Sequence, residues 1–120
     1  MKVAITSVGQ DLESKIDARF GRAKWFIVID TETNKHQVIS NEHNLNISQG
    51  AGIQTAENIS RHNVEAVITG NCGPKAFKTL SSAGIKVYSA VDGTVTEVLE
   101  RFKNGKLKQA GGANVEGHWA

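Results

Sequence analysis

The residues best suited to chemistry fall in three short stretches. In DARFGRA, residues 17–23, two guanidinium groups, Arg19 and Arg22, flank Phe20 and Gly21. A guanidinium is a permanently charged planar fork of donors, and two of them close together suit an anion. Gly21 allows a backbone angle or a close approach that other residues resist. Phe20 suits a plug over the core as well as a wall of a site. The second stretch, SQGAG at 48–52, and the third, GNCGP at 70–74, are Gly-containing turns that each lead into a helix. Unpaired backbone N–H groups and the helix dipole make such starts attractive to anions. Gly50, Ala51, Gly52, Asn71 and Gly73 are therefore candidate binding residues. Ordinary turns use the same residue types in any fold, so no single turn is a site by itself.

Cys72 and His43 could add a softer contact. Cys72 opens a helix, where a thiolate is stabilised, and His43 lies in the loop beside the proposed cleft. Thiolate and imidazole both suit copper or iron. His36, His62 and His118 complete the histidines, and none lies in a spaced pair such as HxH or HExxH, which argues against a preformed closed zinc site. Catalytic patterns are missing in the same way. No GxxxxGK[ST] loop occurs and no GxGxxG follows a strand, against a standard nucleotide site. A phosphatase-type loop needs arginine where Lys78 stands, and there is no CxxC. Asp11, Asp17 and Glu42 lie in loops with no evident pairing. The first strand, KVAITSV, lacks the carboxylate that a magnesium-dependent nuclease would need.

The elements that must position these loops can be read from the apolar pattern. A chain of 120 residues suits one domain. With 14 basic and 12 acidic side chains it lacks the strongly basic balance of a nucleic-acid binder. Neither a signal peptide nor a membrane span is evident. The one cysteine excludes an internal disulfide and suits a reducing cytoplasm. KVAITSV (2–8) and KWFIVID (24–30) read as strands. The turn TETN (31–34) is too short for a parallel crossover of about a dozen residues, so KHQVIS (35–40) returns antiparallel. A helix over 50–62 follows, with Ser48 as its cap and Ile53, Ala56 and Ile59 inside. VEAVITG (64–70) and IKVYSA (85–90) are strands around a second helix that starts at Pro74, buries Phe77, Leu80 and Ala83, and stops at Gly84. A third helix over 93–105 buries Val95, Val98, Leu99 and Phe102. The helical crossovers make the second half of the sheet parallel. Ligands in open α/β sheets sit beyond the carboxyl ends of such strands, where the three stretches would ring one cleft.

Four stretches, DARFGRAKWFIVID, QGAGIQTAENI, AVITGNCGPKAFKTLSSAGIKVY and VTEVLERFKNGKL, together resemble the dinitrogenase iron–molybdenum cofactor biosynthesis family. That family includes nitrogenase cofactor carriers and small stand-alone relatives of the orange-protein kind. The resemblance implies an α/β, ribonuclease-H-like fold: a five-stranded mixed sheet, strand two antiparallel, flanked by three helices. It implies a protein that is not an enzyme and binds an anionic metal–sulfur cluster, either the iron–molybdenum cofactor or a mixed molybdenum–copper sulfide. In some relatives the partner is a partitioning-type ATPase. Nitrogenase cofactor carriers tend to have histidine immediately before Phe-Gly, where this chain has Arg19. Arginine cannot ligate a metal but can pair with a sulfido anion, so the chain looks closer to the stand-alone group.

The expectations are therefore a domain over 1–108, a flexible Gly-rich tail over 109–120 that includes His118, and a cytoplasmic location without membrane or nucleic-acid partners. The cluster, molybdenum-containing with copper or iron, is expected against Arg19, Phe20, Gly21, Arg22, Gly50, Ala51, Gly52, Asn71 and Gly73, with His43 or Cys72 as direct contacts. A protein-interaction module and a Cys72-dependent enzyme are the alternatives.

Overall fold

A computed structural model describes residues 1–45 and 50–111. Strand β1 (Lys2–Ser7) runs through the centre of the sheet, buried from Val3 onward. Strand β2 (Trp25–Asp30) lies antiparallel beside it, with Val3 opposite Ile29 and Ile5 opposite Ile27. The hairpin to β3 (His36–Ser40) forms because the Asp30 carboxylate accepts the N–H groups of Glu32 at 2.9 Å and Thr33 at 3.3 Å. Those bonds hold the Asp30 carboxyl below its ordinary pKa. Asn34 takes the left-handed angle that closes the turn.

A short helix α1 (Glu42–Leu45) follows, then α2 (Ala51–Ser60), strand β4 (Ala66–Thr69), helix α3 (Pro74–Ser82), strand β5 (Lys86–Ser89), helix α4 (Val95–Lys103) and strand β6 (Lys108–Gln109). The sheet order is β3-β2-β1-β4-β5-β6. Strands β1, β4 and β5 are parallel neighbours, and β6 is antiparallel to β5. Alternation along the strands makes two apolar layers. Ala4, Phe26, Val28, Val67 and Val87 pack with Ala56, Ile59, Ala76 and Leu80 of α2 and α3. Val3, Ile5, Ile27, Ile29 and Ile68 pack with Val95, Val98 and Leu99 of α4.

The mixed α/β architecture with an antiparallel second strand matches the expectation, but the counts do not. The sheet has six strands rather than five, and the described residues contain four helices rather than three. The sixth strand exists because Lys108 and Gln109 pair with Ser89 and Tyr88, and the Ala110 N–H continues to the Val87 carbonyl at 2.8 Å. Residues 112–120, with His118, lie outside the described part. Strand β6 is also reversed relative to its neighbour, so β2 is not alone in running against the rest. The expected cap Ser48 lies outside the described residues, and the cap position of α2 is Gly50, at φ 77°. In α3 the buried face is Ala76 and Leu80, while Phe77 is half-buried and Ala83 exposed.

Candidate functional site

The loop between β1 and β2 is tied down where β1 ends. Thr6 Oγ1 donates to the Asp17 carbonyl at 2.6 Å, and the Asp17 N–H returns to the Thr6 carbonyl at 3.0 Å. The loop then lies along the segment after β4. The Asn71 N–H meets the Ala18 carbonyl at 2.6 Å, and the Phe20 N–H meets the Asn71 carbonyl at 3.0 Å. The approach is close enough to demand glycine at 70, where a Cβ would sit 2.7 Å from the Ala18 oxygen. On its other side the loop meets α1 and α2. Asn41 Nδ2 donates to the Ala23 carbonyl at 2.8 Å, and Thr55 Oγ1 of α2 lies 3.5 Å from the Gly21 carbonyl. Arg22 Nη1 donates to the Leu45 carbonyl at 3.1 Å, at the end of α1.

The structure thus joins the Arg19–Arg22 loop to Asn71 directly and to the first turns of α2 through Thr55. The Arg19 side chain is 56% exposed, with its Nε 3.7 Å from Asp17 Oδ1. That pairing is too open to hold the guanidinium fixed. Phe20 takes the plug position of its two sequence readings. Its ring is fully buried and meets Phe26 edge-on at 5.4 Å, so its side chain belongs to the core and only its backbone edges the loop. Cys72 is buried too. Its thiol is buried in the same core as Phe20, Ala76 and Leu80, and burial pushes its pKa up to about 12. Desolvation outweighs the helix start, so the group is a thiol rather than a thiolate at neutral pH. His43 lies exposed on α1.

The three main helices begin differently. Helix α4 carries a full capping box: Thr94 Oγ1 accepts the Glu97 N–H at 3.2 Å, and Glu97 Oε1 accepts the Thr94 N–H at 2.9 Å. The Thr94 N–H, and after it the Thr94 hydroxyl, hold the Glu97 carboxyl below its ordinary pKa. The next amides, Val95 and Thr96, donate to the Ser14 and Leu12 carbonyls at 2.9 and 3.0 Å. Helices α2 and α3 start at Gly50 and Gly73, which provide no side-chain cap, and neither has an acidic residue in its first turn. Their first-turn amides have no intrahelical acceptor by construction. Both starts lie at the edge occupied by the arginine loop.

Among the described residues, no three His, Cys, Asp or Glu side chains gather in a way that could hold a metal ion. No described helix is long and apolar enough to cross a membrane. Two shallow surface hollows lie away from this edge, one around Lys2, Asp30 and His36 and one around Phe77, Ile85 and Gln109. Their lining is ordinary surface. The convergence of loops, rather than either hollow, marks the candidate site.

Residues 1–105 match the model of the family described as dinitrogenase iron-molybdenum cofactor. The chain belongs to this family. The apo form of the orange protein from Desulfovibrio gigas is 36% identical, superposes with a TM-score of 0.93, and the match covers 95% of this chain and 96% of that one. An NMR structure from Thermotoga, assigned to the DUF35 family, is 40% identical with a TM-score of 0.80 over 90% of this chain and 91% of its own. An uncharacterised protein of Methanocaldococcus jannaschii is 29% identical over 112 residues, which is 91% of this chain and 95% of that protein. Membership ties the chain to iron–molybdenum cofactor and metal-cluster biology at the level of the family.

Sequence reasoning missed the residues that hold the loop. Thr6, Asn41, Asn44, Thr55 and Thr69 are all buried and polar. A threonine inside each of two apolar strand runs was the available signal, since a hydroxyl is rarely buried without a partner.

Proposed function

We propose that the protein carries an anionic metal–sulfur cluster without transforming it. The cluster is cargo, held at the edge formed by Arg19, Gly21, Arg22, the Gly50–Gly52 start of α2 and the Asn71–Gly73 start of α3. The carrying observation is that two helix starts with glycine at the cap position and no acid in the first turn converge with the arginine loop at one edge. Such a surface offers diffuse positive potential and several N–H donors, which suit a large, multiply negative thiometallate. Exposed His43 can add one soft contact to copper or iron, whereas buried Cys72 needs a local opening first. The buried thiol also counts against a Cys72-dependent enzyme.

The test is anaerobic reconstitution of the apo-protein with tetrathiomolybdate, with and without copper(I), followed by desalting and visible spectroscopy. The wild type is expected to keep the colour and an Arg19→Ala/Arg22→Ala variant to lose it. Equal retention by both proteins would remove the arginine loop from the site.

A further inference from the structure

All six buried polar side chains among the described residues lie along one edge of the sheet. They are Thr6, Ser7, Asn41, Asn44, Thr55 and Thr69. Five of them form two clusters, one on either side of the arginine loop. In the first, Thr6 Oγ1 donates to the Asp17 carbonyl at 2.6 Å and lies 3.1 Å from Thr69 Oγ1. In the second, Asn41 Oδ1 accepts from Asn44 Nδ2 at 2.7 Å and from Thr55 Oγ1 at 3.2 Å, while Asn41 Nδ2 holds the Ala23 carbonyl at 2.8 Å. No buried side-chain nitrogen or oxygen among the described residues is left without a partner.

We infer that the loop at 17–23 is a pre-formed rigid wall, clamped at its start by Thr6 and Thr69 and at its end by Asn41 and Thr55, and that these four are positioning residues for the ligand. The inference rests on the carrier reading above. Buried polar groups in a core are tolerated only when fully satisfied, and then they select one arrangement over its near neighbours. Here each cluster reaches a loop carbonyl, the first at Asp17 and the second at Ala23. The loop backbone that carries the two arginines is thereby set before any ligand arrives. A site built this way loses less entropy on binding.

The experiment uses the full chain with Thr6→Val and Thr55→Val, which keep side-chain volume, and Thr6→Ser and Thr55→Ser, which restore the hydroxyl. Two quantities are measured: amide hydrogen exchange of the apo-protein, and affinity for tetrathiomolybdate with copper(I). In the valine variants, exchange at Phe20, Gly21 and Asn71 is expected to rise about tenfold, as loss of one buried hydrogen bond implies. Exchange at Val67 in β4 stays as in the wild type. Affinity is expected to fall by about the same factor, and serine restores both. Unchanged exchange over 18–23 in both valine variants would overturn the clamps. Faster loop exchange with unaltered affinity would overturn the positioning role while leaving the carrier reading intact. A wild-type chain that holds no cluster would overturn the carrier reading and the positioning role together.

Discussion

Helix α4 and the pair α2 and α3 solve the same problem in opposite ways. Every helix start leaves backbone N–H groups without acceptors. At α4 the chain supplies them all locally, with a Thr94–Glu97 capping box and with the Ser14 and Leu12 carbonyls. At α2 and α3 it places glycine at the cap position and no acid in the first turn. The sequence is able to close a helix end with a side-chain cap, and the two starts left open in that sense are suited to water or a ligand as acceptor. The arginine loop stands beside the open ends, whereas the start of α4 is sealed by a loop with Glu13 at its tip.

The largest test of this contrast removes the support beneath the open edge. Phe20→Ala empties a fully buried position under the arginine loop and is expected to lower stability by about 3–5 kcal/mol in urea denaturation, with loss of cluster retention. A loss under about 1 kcal/mol would mean that the ring is not part of the core.

The second test asks whether the start of α3 is closed by a thiolate instead. The Cys72 pKa is raised in the fold, from 9.0 to about 12. The stability this group contributes is therefore complete below about pH 9 and is lost as pH rises toward about 12. The slope is at most about 1.4 kcal/mol per pH unit, and Cys72→Ala flattens it. A thiol that reacts quickly with iodoacetamide at pH 7 in the folded protein would show instead that the open end is used to ionise it.

The third test breaks the closed end. Thr94→Ala is expected to cost about 1 kcal/mol by thermal melting while cluster retention stays unchanged. The fourth sharpens the open end. Lys75, exposed in the first turn of α3, when changed to Glu complements the helix dipole by about 0.3–1 kcal/mol. The same Lys75→Glu change is expected to weaken cluster retention, so stability and binding move in opposite directions. Parallel movement of the two would leave α3 with an ordinary helix start.

How much of this was legible in the sequence depends on range. Strands β1, β2, β4 and β5 announce themselves as β-branched runs, and the TETN turn determines the hairpin. Helix α1 and strand β6, four and two residues long, are too short for any periodicity to register. At the site, the turns at Gly50 and Gly73 were visible because glycine and proline act locally. The choice between plug and wall for Phe20 and the thiol state of Cys72 were not, because each depends on packing from distant elements. The polar clamps were least legible of all. The contact of Thr6 with Thr69 spans 63 positions and arises only when β1 and β4 lie side by side.

The central claim is that an anionic cluster sits at the open helix starts and not at the sealed one. Titration of the isotope-labelled apo-protein with copper-loaded tetrathiomolybdate, read by backbone amide shifts, tests it most directly. The account predicts the largest shifts at Gly21, Ala51, Gly52, Lys75 and Ala76, with Thr94–Glu97 unmoved. Shifts centred on Thr94–Glu97 or on the hollow at Lys2 and His36, with the open starts silent, would contradict it.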